Sequence, residues 1–587
     1  MKKKILIPIF LSALALPLMV GKNPARLEAQ SIGINNLTDY LAHGVKVNGQ
    51  LADEGFVLLK NVDGFLPMSG NENISVVGKS STNLVLGGSG SGAASTSSGV
   101  HEIQLNESLT AVGFNTNPNM ATFYRSASGG RTNGNSSWKG LSEVTIGETP
   151  FSEYTDAVKQ SMENDYNDAA IMVISREGSE GCDVKTCNAH DSKKTNTSYE
   201  AVSHKHALEL SDNEQDLFDY ITDKFENVII LVNSGNVFEC DQFEQNDAVK
   251  AVLWIGCPGD VGTGAVGRIL AGEVNPSGRT VDTWARDFTQ DPTFQNFSDN
   301  SQTNLVERSG KEYYFPQDTM FNADGSPVKS EGTANGDPTW EDQQAKVVNY
   351  GLNGVRPSAY VSYEEGIYVD YRYYETKYAD MAKEDKAAAE AWYNGEDADE
   401  GGVVYPFGYG LSYTSFEQKI VSSNIDHKML KSGNMKVEVE VEVKNTGDVA
   451  GKEVVQLYWN APYFAGEIEK AERVLCAFDK TDMLEPGDVQ TIKLTFDTQD
   501  FADYDCFDKN ENGFCGYELD GGEYKITLNK NAHEVIDEVK FKVAEGGIQY
   551  ETDRYTGYPV ENRFTDNGFY SSLPAEDDIE FTQMSRA

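Results

Sequence analysis

The chain has 587 residues, of which 39% are hydrophobic, 24% charged and 11% aromatic; this length excludes a single small module and suggests roughly three or four domains. The aromatic content argues against wholesale disorder. With 92 acidic against 49 basic residues the formal net charge is -43, which repels phosphate backbones and anionic lipid and excludes nucleic acid as an expected partner, while saying nothing about catalysis.

Lys2, Lys3 and Lys4 precede an apolar run from Ile5 to Val20, broken only by Pro8, Ser12 and Pro17. The run is shorter than the roughly 20 residues of a spanning helix and reads as an export signal with a mediocre cleavage pair, Ala13 and Ala15. Residues 1-36 are therefore expected to be a signal peptide or N-terminal anchor with a linker. The rest of the chain is then secreted or anchored at the cell surface.

Residues 50-290 alternate short β-branched runs with helical stretches, the pattern of an α/β sandwich domain with a largely parallel sheet. The runs are Ile74 to Val77, Ala169 to Ile174, Val228 to Val232 and Val249 to Ile255. Each is nearly continuous in apolar residues, as strands covered on both faces are. Their C-terminal ends are where a site is expected. Ser211 followed by Glu214 forms a capping-box signature ahead of a helix with Leu217, Phe218, Tyr220 and Ile221 on its apolar face. A further helix spans about Gly264 to Ala271.

Residues 291-413 are rich in Asn, Asp, Gln, Gly and Tyr without a sustained period and read as an irregular segment that connects and wraps. From residue 414 to 545 the period changes to two. Val437, Val439, Val441 and Val443 alternate with Glu438, Glu440 and Glu442, and further runs lie at Val454 to Trp459, Arg473 to Phe478, Gln490 to Phe496 and Glu523 to Leu528. This is the signature of an all-β sandwich of immunoglobulin or fibronectin-III-like type. Residues 546-587 form a polar, aromatic C-terminal extension with no clear element.

Most local motifs carry no chemistry. The seven cysteines make no disulfide framework, although Cys182 with Cys187, and Cys506 with Cys515, are close enough to staple local loops in an oxidising compartment. His204 and His206 lack a carboxylate or thiol set to complete a metal site and read as surface histidines, so neither metal nor cofactor is expected. Gly87 to Ala93 contains a GxGxxA match, but no strand runs directly into it and no helix follows, as a dinucleotide turn requires. Asp508, Asn510, Asn512 and Gly513 match the first half of a calcium loop; position twelve is Leu519 in place of a glutamate, and a turn closed by Cys506 and Cys515 fits better.

The informative loop leaves the second long strand as Ser175-Arg176-Glu177-Gly178-Ser179-Glu180-Gly181-Cys182-Asp183. A carboxylic acid at a strand end suits protonation of a glycosidic oxygen, with a second carboxylate needed to attack or to activate water. In so acidic a chain the plain alternative is a solvated loop.

Ordered strings along residues 50 to 545 resemble glycoside hydrolase family 3, the β-glucosidase and related family. They are Glu54-Gly55-Phe56-Val57-Leu58-Leu59-Lys60-Asn61 with Leu66-Pro67, GGSGSG at 87-92, Ser175-Arg176 with Glu180-Gly181, Val232-Asn233-Ser234-Gly235, Gly278-Arg279-Thr280 before Trp284, Tyr363 to Tyr374, and Tyr405 to Thr414. The resemblance implies a retaining β-glucosidase-type hydrolase in which Glu180 is the acid/base and an Asp on a (β/α)8 barrel is the nucleophile. Ser179 and Asp370 stand where the family commonly has glycine, and the first departure leaves Glu177 as a secondary candidate. Fifty residues ahead of the α/β domain cannot form a barrel of roughly 250, so the chain resembles the front part of a permuted member. It is expected to be inactive alone, with a β-linked oligosaccharide or glycoside as substrate and the barrel supplied by the full-length protein or another chain. The competing expectation is a non-catalytic carbohydrate-binding or cell-surface interaction protein that keeps the accessory domains.

Overall fold

The strands expected between residues 74 and 255 form the middle of one sheet, because their side chains are apolar on both faces. The computed structural model describes residues 36-88, 100-131, 146-178, 184, 206-294, 304-308, 311-315, 365-396, 402-562 and 584-586. Six strands, β1 (Val57–Asn61), β2 (Asn73–Val77), β3 (Asn115–Thr116), β4 (Ala169–Arg176), β5 (Val228–Ser234) and β6 (Val249–Trp254), lie in the order β1-β6-β5-β4-β2-β3. All neighbours are parallel except β1, which runs antiparallel to β6. Every residue of β4 and β5 is buried.

Alternation divides each strand between two cores. Ala170, Met172 and Ile174 of β4 face a core shared with Leu217, Phe218 and Ile221. Those three project from the helix Asp212–Lys224, which starts with the expected capping box: the Ser211 hydroxyl accepts from the Glu214 N–H and the Glu214 carboxylate accepts from the Ser211 N–H. Ala169, Ile171 and Val173 face the opposite core with Leu105, Leu109, Val266, Ile269 and Leu270. The sheet is thus sandwiched between helices, as expected.

One helix was not anticipated. Leu37–Gly55 is capped by the Asn36 side chain accepting from the Asp39 N–H and touches the domain through Ala52, Asn48 and an Asp53–Arg268 ion pair of 2.6 Å. Leu37, Tyr40, Val47 and Leu51 remain exposed on it. Residues 1-35, which hold the expected export signal, lie outside the described residues, and among the described residues no helix is long and apolar enough to cross a membrane.

The expectation of an irregular segment over 291-413 needs correction. Asn304–Arg308 and Lys311–Phe315 form a hairpin, and two helices run over Tyr371–Glu384 and Lys386–Tyr393. Their burial follows helical spacing: Tyr371, Tyr374 and Glu375 point inward from the first, and Ala389, Trp392 and Tyr393 from the second. Asp385 caps the second by accepting from the Ala387 and Ala388 N–H groups. Tyrosine and glutamate in place of leucine at the inward positions of the first helix hid this period.

Beyond Tyr413 the regular elements among the described residues are strands, apart from a short 3-10 turn at Thr498–Phe501. A three-stranded sheet contains Phe416–Ser423, Lys436–Asn445 and Val489–Asp497, and a five-stranded sheet contains Met429–Leu430, Val535–Val543, Gly522–Asn529, Val454–Asn460 and Val474–Lys480. Val437, Val439, Val441 and Val443 are fully buried between them, so the alternation with Glu438, Glu440 and Glu442 reports the pleat. Asp503–Asp505, Gly516–Leu519 and Ile548–Tyr550 add a small third sheet. Leu519, where a calcium loop would need its last carboxylate, is wholly buried in this core, so the loop is a turn.

Residues 405-414 are the seam between the two halves. The Thr280 N–H donates to the Tyr409 carbonyl at 2.7 Å, the Leu411 N–H to the Leu58 carbonyl at 2.8 Å, and the Ala532 N–H to the Phe407 carbonyl at 2.8 Å. A largely buried Arg279–Glu453 ion pair of 2.7 Å crosses the same seam.

Candidate active site

The site expected from the sequence lies where β4, β5 and β6 end. Asn233, fully buried near the end of β5, ties these ends together. Its amide oxygen accepts from the Val85 N–H and from the Ser175 hydroxyl, both at 2.7 Å, and its amide nitrogen donates to the Val85 and Gly256 carbonyls at 2.9 and 2.8 Å. One side chain therefore fixes β4, the loop beyond β6 and the segment that enters the glycine run. From Ser89 on, that run lies outside the described residues.

Arg176, the last residue of β4, is only 3% exposed and points into the domain. Its guanidinium makes a bidentate pair with Glu214 at 2.8 and 2.6 Å and donates to the carbonyls of Ala207, Ser175 and Glu209, with the Phe238 ring 4.9 Å below. Glu214 also belongs to the capping box, so the arginine locks the strand end to the start of the neighbouring helix. It is a positioning residue.

Glu177 follows and faces Arg131 at 3.8 Å. Arg131 also donates to the Ser80 hydroxyl at 2.9 Å, and burial together with nearby Arg176 holds its guanidinium below the ordinary arginine range, partly offset by Glu177. Cys257 lies close by, its thiol pushed up by burial and by the Glu177 carboxylate. Glu177 is thus committed to an internal ion pair.

Gly178 is the last residue described on this strand end, and Glu180 lies outside the described residues, as do Ser179 and Cys182. A Cβ on Gly178 would come within 3.1 Å of Val184 Cγ2 and 3.3 Å of Asn236 Oδ1. The chain therefore leaves at Gly178 and is back beside it at Val184. This contact makes glycine the fitting residue at 178.

Other expected features resolve differently. Lys79 donates its amine to the carbonyls of Tyr124 and Ala127. His206 is not on the surface: it is 3% exposed, pairs with Glu239 at 3.1 Å and accepts from the Leu208 N–H. Burial of the short segment 206-210 against Arg176 explains this. His204 lies outside the described residues, and among the described residues no group of His, Cys, Asp and Glu is arranged to hold a metal. Sequence reasoning missed Arg131 and Asn236, which sit in polar Gly- and Asn-containing stretches with no pattern to mark them.

Comparison with known proteins places this arrangement. The model of the glycosyl hydrolase family 3 C-terminal domain matches residues 56-371, and that of the fibronectin type III-like domain matches residues 453-532. Beta-glucosidase A of Butyrivibrio fibrisolvens is 25% identical over 557 residues, covering 91% of this chain and 56% of that protein. The beta-glucosidase of Ruminococcus albus is 28% identical over 489 residues, covering 83% and 39%. Among solved structures, a beta-glucosidase from Paenibacillus barengoltzii superposes with a TM-score of 0.59 at 26% identity, over 86% of this chain and 45% of that one. Beta-glucosidase 3B from Thermotoga neapolitana in complex with glucose gives 0.56 at 25% identity, over 86% and 55%. The chain spans about half the length of the relatives it matches.

Proposed function

Since the chain belongs to glycosyl hydrolase family 3, we propose that it is the α/β and fibronectin-like portion of a retaining β-glucosidase-type hydrolase acting on a β-linked glycoside or oligosaccharide, with Glu180 as its acid/base. The observation that carries this reading is the strand-end loop after β4. It is rooted on the buried Arg176–Glu214 pair and on Asn233, and in the sequence the matching family string Glu180-Gly181 follows Gly178 and Ser179.

Glu177, the other candidate in this loop, is engaged with Arg131, which supports assigning the proton to Glu180. In the proposed reaction Glu180 protonates the leaving glycosidic oxygen while a carboxylate on a (β/α)8 barrel attacks the anomeric carbon; Glu180 then takes a proton from the water that releases the sugar. The barrel is supplied by the remainder of the full-length protein or by another chain. The relatives, of which this chain spans about half, support that division. The lysine-led apolar opening supports export.

The test follows nitrophenol released from an aryl β-glucoside by this chain alone and by this chain with its barrel-bearing partner, each beside Glu180→Gln. The chain alone is expected to be silent. With the barrel, Glu180→Gln should slow turnover by roughly 10²–10⁴-fold. Full activity in Glu180→Gln together with loss in Glu177→Gln would transfer the role to Glu177, and binding of glycoside without turnover in the assembled protein would overturn the hydrolase reading.

A further inference from the structure

We infer that Cys506 and Cys515 form a redox-responsive pair, two thiols that oxidise to a cross-strand disulfide when they meet a low-molecular-weight disulfide. The register of the small third sheet carries this. Asp503 pairs with Glu518, Tyr504 with Tyr517 and Asp505 with Gly516; continuing that antiparallel register by one step would set Cys506, just past the first strand, opposite Cys515, just ahead of the second. Directly opposed residues on antiparallel strands have Cβ atoms roughly 4.5–5.5 Å apart, against about 3.5–4.5 Å in a disulfide. A small closure suffices.

Both thiols are free and half-buried, so an oxidant can reach them, whereas Cys240 is buried and the Cys476 thiol donates to the Leu457 carbonyl at 3.2 Å. The ten-residue turn they bracket is already ordered without the bond. Asp505 accepts from the Phe507 and Lys509 N–H groups at 3.0 and 2.7 Å, and Asp508 accepts from the Gly513 N–H at 2.9 Å. Asn510 and Asn512 both donate to the buried Glu518 carboxylate, at 2.9 and 2.5 Å, and Asn562 donates to the Cys506 carbonyl at 2.9 Å. Two cysteines at the ends of a turn organised in this way meet at high effective concentration.

The step balances with glutathione disulfide as the oxidant. One cysteine thiolate attacks a glutathione sulfur, forming a mixed disulfide and releasing one glutathione. The other then attacks the cysteine sulfur of that mixed disulfide and releases the second. Two cysteine thiols are oxidised, one glutathione disulfide is reduced to two thiols, and these take up the two cysteine protons.

The test holds the full chain in glutathione buffers of graded redox poise, quenches with N-ethylmaleimide under denaturing conditions and digests with trypsin. Trypsin cuts after Lys509, within the turn, so the bond appears as peptide Leu494–Lys509 joined to Asn510–Lys525. The expected result is that Cys506 and Cys515 lose their label together as that joined mass appears. The melting temperature should rise by roughly 3–8 °C on oxidation, and Cys506→Ser should abolish both effects. A synthetic dithiol peptide in the same buffers reports that the oxidant is active. Labelling of both cysteines at a poise where that peptide is oxidised, a bond from either to a different cysteine, or a rise in melting temperature that survives Cys506→Ser would each overturn the inference.

Discussion

Asp370, at the start of the helix Tyr371–Glu384, holds φ 55° and ψ -137°, a region in which glycine alone is comfortable and other residues carry about 1–3 kcal/mol of strain. Its carboxyl is raised to about 6, chiefly by burial and further by nearby Asp282, against hydrogen bonds from the Thr283 and Tyr371 N–H groups. A carboxyl whose folded pKa exceeds its unfolded value of about 3.9 binds more protons in the native state, so its contribution is fully favourable below pH 4 and is lost as pH rises through 6. The full difference is about 3 kcal/mol, of which about 1.4 kcal/mol falls between pH 5 and pH 8. Replacing it also forfeits the 2.5 Å bond from the Thr283 N–H, which costs about 1–3 kcal/mol. With relief of strain and loss of the bond roughly offsetting, Asp370→Gly is therefore expected to gain on the parent by about 1.4 kcal/mol between pH 5 and pH 8. Asp370→Asn keeps the acceptor and part of the strain but removes the charge, so it should share the pH dependence with a different offset. Thermal midpoints of the three proteins at pH 5, 6, 7 and 8 decide the matter. A parent-to-glycine difference that stays constant across this range would refute the electrostatic argument, and a glycine variant less stable than the parent at pH 8 would refute the strain argument.

Arg176→Met leaves the buried Glu214 carboxylate without its partner and is expected to lower stability by about 3–5 kcal/mol, measured as a fall in the urea midpoint; a change below 1 kcal/mol would mean the pair is not buried as described. Asn233→Ala removes four hydrogen bonds at the strand ends and should cost about 2–4 kcal/mol, with faster hydrogen exchange at the Val85 N–H as its local signature.

Legibility followed the physics of each element. Val228 to Val232 and Val249 to Ile255 were readable because a doubly covered strand is apolar at nearly every position, and Val437 to Val443 because a singly covered one alternates. Ser211 and Glu214 were readable because a capping box is a local interaction. The helix Leu37–Gly55 was not, since Leu37, Tyr40, Val47 and Leu51 are exposed, its buried apolar residue is the small Ala52, and its polar contacts reach residues over 200 positions away. The helices at 371-393 were hidden because their inward positions are tyrosines and a glutamate: Glu375 is 1% exposed and is satisfied by Tyr393 at 2.7 Å and His533 at 2.9 Å. Arg131, which faces Glu177, could not be found from sequence because nothing local distinguishes it from a solvated arginine.

The strings that carry the family resemblance divide by what they touch. Gly278 and Gly410 stand where a Cβ would overlap the backbone of Gly55 and of Gly278 itself, while Thr280, Tyr409 and Leu411 supply the hydrogen bonds of the seam. Asn233 and Arg176 fasten the strand ends. Asp370, where the family commonly has glycine, occupies a backbone conformation that explains the glycine without any appeal to the reaction. These residues would be required in a hydrolase and equally in a protein that had kept the fold and lost the chemistry. Glu180, which lies between Gly178 and Val184 in the sequence, is the residue on which the proposed reaction draws. The proposed role of the domain is therefore tested by substitution at Glu180, read as turnover beside thermal stability, and not at the far more numerous residues that identify its family.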